Sequence, residues 1–249
     1  MPGHSIRIAG KRAAGEELSK REERAHRILD AAAELIQRWG YKKTAIDDIA
    51  RLAGVAKGTI YLHWKTREDL FVALFLREAI ETMKAMTERI DSDPAGIRLS
   101  SVIKNAMYVI MTRPLSRALF IRDVSVLGEL LQQGREDLET LSQQKLLAGR
   151  QLLTFFRSKG ALRIDQDLEE QIKAYATMVI GTIIVDQYMP ADLQSSPEES
   201  AQRLAAMIRD TLEPTEPLSP ETQQELKTTW DHFVEQIMQM LDKHLQKGA

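Results

Sequence analysis

Apolar residues recur at helical spacing along most of this chain. Ile28, Ala31, Ala32, Leu35 and Trp39 form one stripe, which predicts a helix over roughly 20–39 that Gly40 ends. Ile46, Ile49, Ala50 and Ala53 give the next helix its buried side. Thr44 is placed to cap it, with Asp47 three residues on as a shortened capping box. Asp47 and Asp48 then lie in the first turn, where the helix dipole favours acids. A tight turn at Gly54 leads into a short third helix from Lys57 to about His63. Val55 and Ile60 face inward from this segment, and Ala56, Lys57, Thr59 and Tyr61 face outward. Trp64 reads as a core plug, and Thr66 caps a fourth helix with Asp69 three residues later. That helix carries Leu70, Phe71, Leu74, Phe75, Ile80, Met83 and Met86 on one stripe. Asp91, Asp93, Pro94 and Gly96 break it.

Helical patterning continues to the end. It predicts helices over roughly Ile97–Met111, from Pro114, over Asp123–Ser158 up to Gly160, over Leu168–Gln187 and over Glu198–Leu212. The Leu168–Gln187 segment is apolar around most of its circumference, from Ile172 and Tyr175 to Ile184 and Val185. It needs a second buried surface besides its own core, and a partner subunit is the simplest one. Pro214, Pro217 and Pro220 make a stiff linker before a last helix near 221–246. That helix either completes a dimer face or packs back over the core. The expected fold class is all-α, a three-helix helix-turn-helix domain followed by a larger helical domain. The expected domains are a flexible basic arm over 1–19, the helix-turn-helix over 20–67 and a regulatory and dimerisation domain over 68–249.

The third helix carries the chemistry. Lys57 can reach a phosphate or a guanine edge, Thr59 can offer its hydroxyl or methyl to a base, and Tyr61 can donate to a phosphate. His63 lies near the helix end and Lys65 just past it. Thr44 serves as a cap and also suits a phosphate contact through the helix N-terminus. The same corner with a glycine turn occurs in helical proteins that touch no DNA, so charge matters. The 249 residues carry a net charge of -2 overall, but residues 1–70 hold fourteen Lys and Arg against ten Asp and Glu. A positive end on an acidic chain suits a protein that docks nucleic acid at one end only. Arg7, Lys11 and Arg12 could reach DNA from the arm, or merely aid solubility.

Ile46-Asp47-Asp48-Ile49-Ala50, Ala53-Gly54-Val55-Ala56-Lys57-Gly58-Thr59-Ile60-Tyr61 and His63-Trp64-Lys65-Thr66-Arg67-Glu68-Asp69-Leu70 together resemble the DNA-binding motif of the TetR family of bacterial transcriptional regulators. The resemblance covers about Ile28 to Phe75. It implies that Thr44, Lys57, Thr59, Tyr61, His63 and Lys65 lie at or near DNA. Ala56 stands where the family often has a serine, Trp64 where it often has a phenylalanine, and Leu62 where many members carry a tyrosine or histidine. The resemblance also implies an all-helical C-terminal domain that dimerises and holds an inducer.

Candidate ligand contacts are Met107, Tyr108, Met111, Phe120, Leu127, Phe155, Tyr175 and Met178, with Phe156 beside them. Methionine and aromatic side chains line adaptable apolar cavities, and they also fill ordinary helical cores. Asp123, Glu129 and Asp186 would suit a cationic ligand if buried. Absence of cysteine excludes disulfides and thiol chemistry and fits a reducing cytosol. No apolar run is long enough to cross a membrane, and the basic start from Met1 to Lys20 lacks the apolar core of a signal peptide. Catalytic loops and histidine pairs at metal-ligand spacing are lacking, so neither an enzyme nor a cofactor is expected. The expectation is a cytoplasmic repressor that binds a pseudo-palindromic operator as a homodimer and releases it on binding a mostly apolar small molecule. An activator, a ligand-independent regulator and a helical adaptor are the alternatives.

Overall fold

The computed structural model describes residues 4–121, 123, 126 and 149–248, with only the backbone described for 4–19, 242 and 244–248. Helix α1 runs His4–Lys43, α2 Ile46–Ala53, α3 Lys57–His63 and α4 Arg67–Asp91. Helix α5 runs Leu99–Thr112 and α6 Pro114–Ile121. Residues 149–158 are helical and form α7. Helix α8 runs Leu168–Ile184, α9 Pro197–Leu212 and α10 Pro220–Gly248, with short 3-10 turns at Val185–Tyr188 and Ala191–Leu193. No strand occurs among the described residues.

Gly40 at φ 73° breaks α1 near its end, and Gly54 at φ 66° closes α2. Both lie in the left-handed region that glycine enters without strain. Upstream, α1 is helical from His4, beyond the start that its apolar stripe implied. Trp39 departs from that stripe, being 45 % exposed. It lies between Ile36 and Gly40, where the last turn has run out of facing helices.

The cap of α2 also differs from expectation. Ala45 is the N-cap, and no side chain caps this helix. Thr44 instead turns inward, 1 % exposed, and its hydroxyl donates to the Gly40 carbonyl at 2.9 Å. At α4 the capping box forms as read. The Asp69 amide donates to the Thr66 hydroxyl at 3.1 Å and the Thr66 amide to the Asp69 carboxylate at 3.0 Å.

Two main cores share α4. The first gathers Ile28, Ile36, Ile49, Ile60 and Trp64 around Leu70, Phe71, Leu74 and Phe75, and draws in Leu115 from α6. The second gathers Ile90 with α5, α7, α8 and α9, including Met107, Phe156, Ile183 and Ile208. Arg67 clasps α4 to the α1–α2 connection. Its Nε donates to the Thr44 carbonyl at 3.1 Å, and its guanidinium lies 3.9 Å from the Tyr41 ring centroid. At the far end of α4, Asp93 holds the turn into α5. Burial alone would raise its carboxyl, but Lys104, the Ala95 amide, Asn105 and Ser101 all donate to it and hold it well below the usual range.

The last helix packs back along α4, antiparallel to it. Lys227 near its start pairs with Asp91 at 3.1 Å, and Leu241 near its end meets Val72, Leu76 and Ile80. Between these, Leu226, Trp230 and Val234 enter the second core. Of the two roles open for this helix, the structure shows packing on α4.

Leu226 is fully buried there. Leu226→Ala should therefore destabilise the chain by about 2–5 kcal/mol, a transfer term plus a cavity term. Urea unfolding followed by circular dichroism would measure it. A loss below about 1 kcal/mol would show that α10 is only loosely seated.

Candidate nucleic-acid interface and effector core

Helix α3 projects from the first core, pinned by Ile60, 1 % exposed, and by Trp64 just beyond its end, 3 % exposed. Val55 packs against the same core, as its inward placement required. Lys57, Tyr61 and Lys65 are exposed, whereas Thr59 and His63 are half-buried. Five of the six residues expected near DNA thus keep some exposure on α3 or just past it. Thr44 is the exception, its side chain spent on the Gly40 carbonyl. Lys42 and Lys43 precede it, exposed in the last turn of α1, and add positive charge that the motif-based reading left out. Their signal was the Lys-Lys pair itself, directly before Thr44.

Lys57 is not an idle cation. Its ammonium pairs with Asp47 of α2 at 3.0 Å, and that hydrogen bond raises the lysine above its ordinary value. Asp48 pairs with Arg51 on the same helix. The acids in the first turn of α2 therefore neutralise part of the face beside α3. His63 is lowered from its ordinary value, first by burial and then by the nearby Arg21 and Arg24. Its ring stands 5.3 Å from that of Trp64.

In the second core, Met107 is fully buried on α5. Tyr108, Met111, Phe120, Phe155, Tyr175 and Met178 are partly buried and pack against that core, so helices α5 to α8 bring them together. Leu127 and Glu129 lie outside the described residues. Phe156 is buried within the core proper. Burial pushes the Tyr175 hydroxyl up to about 12. Tyr108 is engaged at its face by Arg89, whose guanidinium lies 3.8 Å from the ring centroid. Asp123 and Asp186 are half-buried.

Helix α6 links the two regions. Arg113 grips Glu78 of α4 with two hydrogen bonds of 2.9 and 3.1 Å. The Ser116 hydroxyl donates to the same carboxylate at 2.7 Å and meets the Thr82 hydroxyl at 2.5 Å. On the other side Arg117 donates to the Ile183 carbonyl of α8 at 3.0 Å. Leu115 of α6 sits in the first core, while Phe120 packs on the second.

Residues 28–74 match the family of bacterial regulatory proteins called tetR. Over these residues the chain carries a TetR-family helix-turn-helix segment. It is 27 % identical to the fatty acid metabolism regulator protein of Bacillus subtilis over 157 residues, 63 % of this chain and 77 % of that one. Among solved structures it is similar to NalD of Pseudomonas aeruginosa, the secondary repressor of the MexAB-OprM multidrug efflux pump. That match has a TM-score of 0.56 and 23 % identity, and it covers 80 % of this chain and 100 % of that one. It is also similar to the transcriptional regulator FadR of Bacillus subtilis in complex with stearoyl-CoA, at a TM-score of 0.54 and 22 % identity over 74 % of this chain and 96 % of that one. Both solved structures share the all-helical fold, over 80 % and 74 % of this chain. Among the described residues no group of His, Cys, Asp and Glu could hold a metal ion, and no helix is long and apolar enough to cross a membrane.

Two outcomes follow from the electrostatics of α3. Asp47→Asn removes a negative charge and frees Lys57, so duplex affinity should rise severalfold and its dependence on salt should steepen. Fluorescence anisotropy at a series of salt concentrations measures both, and an unchanged salt slope would leave Lys57 off the DNA. The second concerns His63, which is disposed to be neutral in the free protein. A phosphate beside it would favour the charged ring, so binding would take up a proton. Affinity should then rise as pH falls from about 8 to about 6. His63→Gln should flatten that profile, and a parent profile that is already flat would remove His63 from the phosphate contacts.

Proposed function

We propose that this regulator binds a pseudo-palindromic operator as a homodimer, with one α3 in the major groove of each half-site. On this reading it represses transcription and lets go of the operator when a mostly apolar small molecule enters the second core. The observation that carries the DNA reading is the exposed face of α3 held on a rigid core, with Lys57, Thr59, Tyr61 and Lys65 reaching solvent from it. One recognition helix covers few base pairs, so useful selectivity needs two.

Support for the homodimer comes from exposed apolar side chains on and between α8 and α9. Ile180, Tyr188, Met189, Leu193 and Met207 all reach solvent there. Exposed apolar side chains concentrated on one segment mark an interaction surface. Two such helices from each subunit would make a four-helix interface.

Support for an apolar effector comes from the methionine- and aromatic-rich second core. The similarity to a fatty acid metabolism regulator and to FadR with stearoyl-CoA points to a long acyl chain as its class. The coupling route is α6. A ligand that displaces Phe120 would shift Leu115 and the Glu78 seam, and with them the α4 end that carries Trp64 and α3. Such a ligand acts only if it prefers the arrangement that fits DNA poorly. By linkage the operator must weaken ligand binding by the same factor.

The test starts from duplexes enriched by this protein out of a random pool. Binding should be specific and salt-sensitive, and sedimentation at micromolar protein should give twice the chain mass. Thr59→Ala should change which single-base variants bind best, whereas Lys65→Ala should weaken all of them alike. Equal binding to selected and random duplexes would overturn the operator reading. With stearoyl-CoA as probe, calorimetry with and without duplex should show reciprocal weakening. An unchanged duplex affinity at saturating probe would overturn the acyl-effector reading and leave DNA binding standing.

A further inference from the structure

The residues of α3 that face most directly away from the core are Gly58 and Leu62, neither of which belongs to the set expected from the motif. Successive residues of a helix are turned by roughly 100°. Ile60 points into the core, 1 % exposed. Residues two places before and after it therefore lie on nearly the opposite side of the helix. Those are Gly58 and Leu62. Thr59 and Tyr61 lie on the flanks, and Lys57 and His63 lie nearer the core side. Exposure follows this geometry, with Leu62 at 76 % and Tyr61 at 45 %.

Both outermost residues are unexplained by the chain itself. Gly58 has no left-handed backbone, and a Cβ built on it would meet nothing within 4 Å. Gly58 lies in the first turn of α3, and neither packing nor a left-handed turn requires glycine there. Leu62 is a large apolar side chain held in water with no neighbouring helix to cover it. A bare backbone beside a projecting leucine, flanked by the exposed Lys57 and Lys65, matches one occupant. The cations suit phosphate walls, the glycine admits close approach to a groove floor, and the leucine needs an apolar feature on that floor. The apolar feature on the major-groove edge of an unmodified base pair is the thymine 5-methyl group.

We propose that Leu62 is a specificity-determining residue that reads a thymine methyl in each half-site, and that Gly58 lets α3 sink far enough for it to do so. This rests on the DNA-binding reading above. Thr59 and Tyr61, on the flanks, then meet the groove walls and the edges of neighbouring bases.

The test uses a duplex enriched from a random pool by the parent protein. Its thymines are replaced one at a time by uracil, which removes only the methyl group. For one thymine in a half-site, uracil should weaken the parent about fourfold, the transfer free energy of one buried methyl. Leu62→Ala should weaken the thymine duplex at least as much and should show no further loss with uracil at that position. Its response to other base changes should persist. Gly58→Ala should melt no lower than the parent yet bind every duplex severalfold more weakly. A parent indifferent to every uracil replacement would overturn the proposal. So would a Leu62→Ala protein as sensitive to uracil as the parent, or a Gly58→Ala protein that binds as the parent does. A parent that enriches no duplex at all would overturn the DNA-binding reading itself, and this proposal with it.

Discussion

Helix α4 belongs to two hydrophobic cores at once, and the rest of the structure depends on that sharing. Its first turns supply Leu70, Phe71, Leu74 and Phe75 to the core that holds α3, and its last turn supplies Ile90 to the core of the larger domain. Each such side chain contributes about 1.5–3 kcal/mol by leaving water, so neither end detaches cheaply. A close-packed helix is also stiff along its length. On the proposed function, displacement at one core is felt at the other, and α3 moves with the Trp64 end of α4. The antiparallel α10 adds a third attachment through Leu241, against Val72, Leu76 and Ile80. A strut of this kind lets α4 tilt only if α10 tilts with it or gives way.

The polar groups between helices set where that movement can start. Glu78 is 16 % exposed at its side chain and receives hydrogen bonds from both Arg113 and Ser116. Removing one partner from a nearly buried set leaves the others uncompensated, so the seam holds α4 and α6 in one register. Arg67 does the same work at the other end, joining α4 to Thr44 and Tyr41. Between these seams α6 has one apolar foot in each core. The route from the second core to α3 is a chain of direct contacts.

The DNA-facing surface combines features that a free protein would not favour. Leu62 stands in water, Gly58 has nothing packed on its bare backbone, and Asp47 pairs with Lys57. On the proposed function, each becomes favourable, or replaceable by a better contact, when a duplex covers the face. Local cost of this kind is expected where binding, not folding, decides the residue.

Among the described residues the sequence by itself determined most of the helices, the corner at Gly54, the Thr66–Asp69 capping box and the inward roles of Ile60 and Trp64. These depend on spacing and on neighbours a few residues away, which are legible along the chain. The motif also located α3 and the turn before it, because its residue types sit at fixed offsets. Tertiary structure alone decided that Thr44 turns inward, that Trp39 is left exposed and that α10 lies along α4. It also decided that Tyr41 and Glu78 find Arg67 and Arg113. The physical reason is common to all of them. Periodicity gives the direction of a side chain relative to its own helix, but burial and pairing depend on which other helix stands there. That is set by contacts far apart in the chain, which no local pattern encodes.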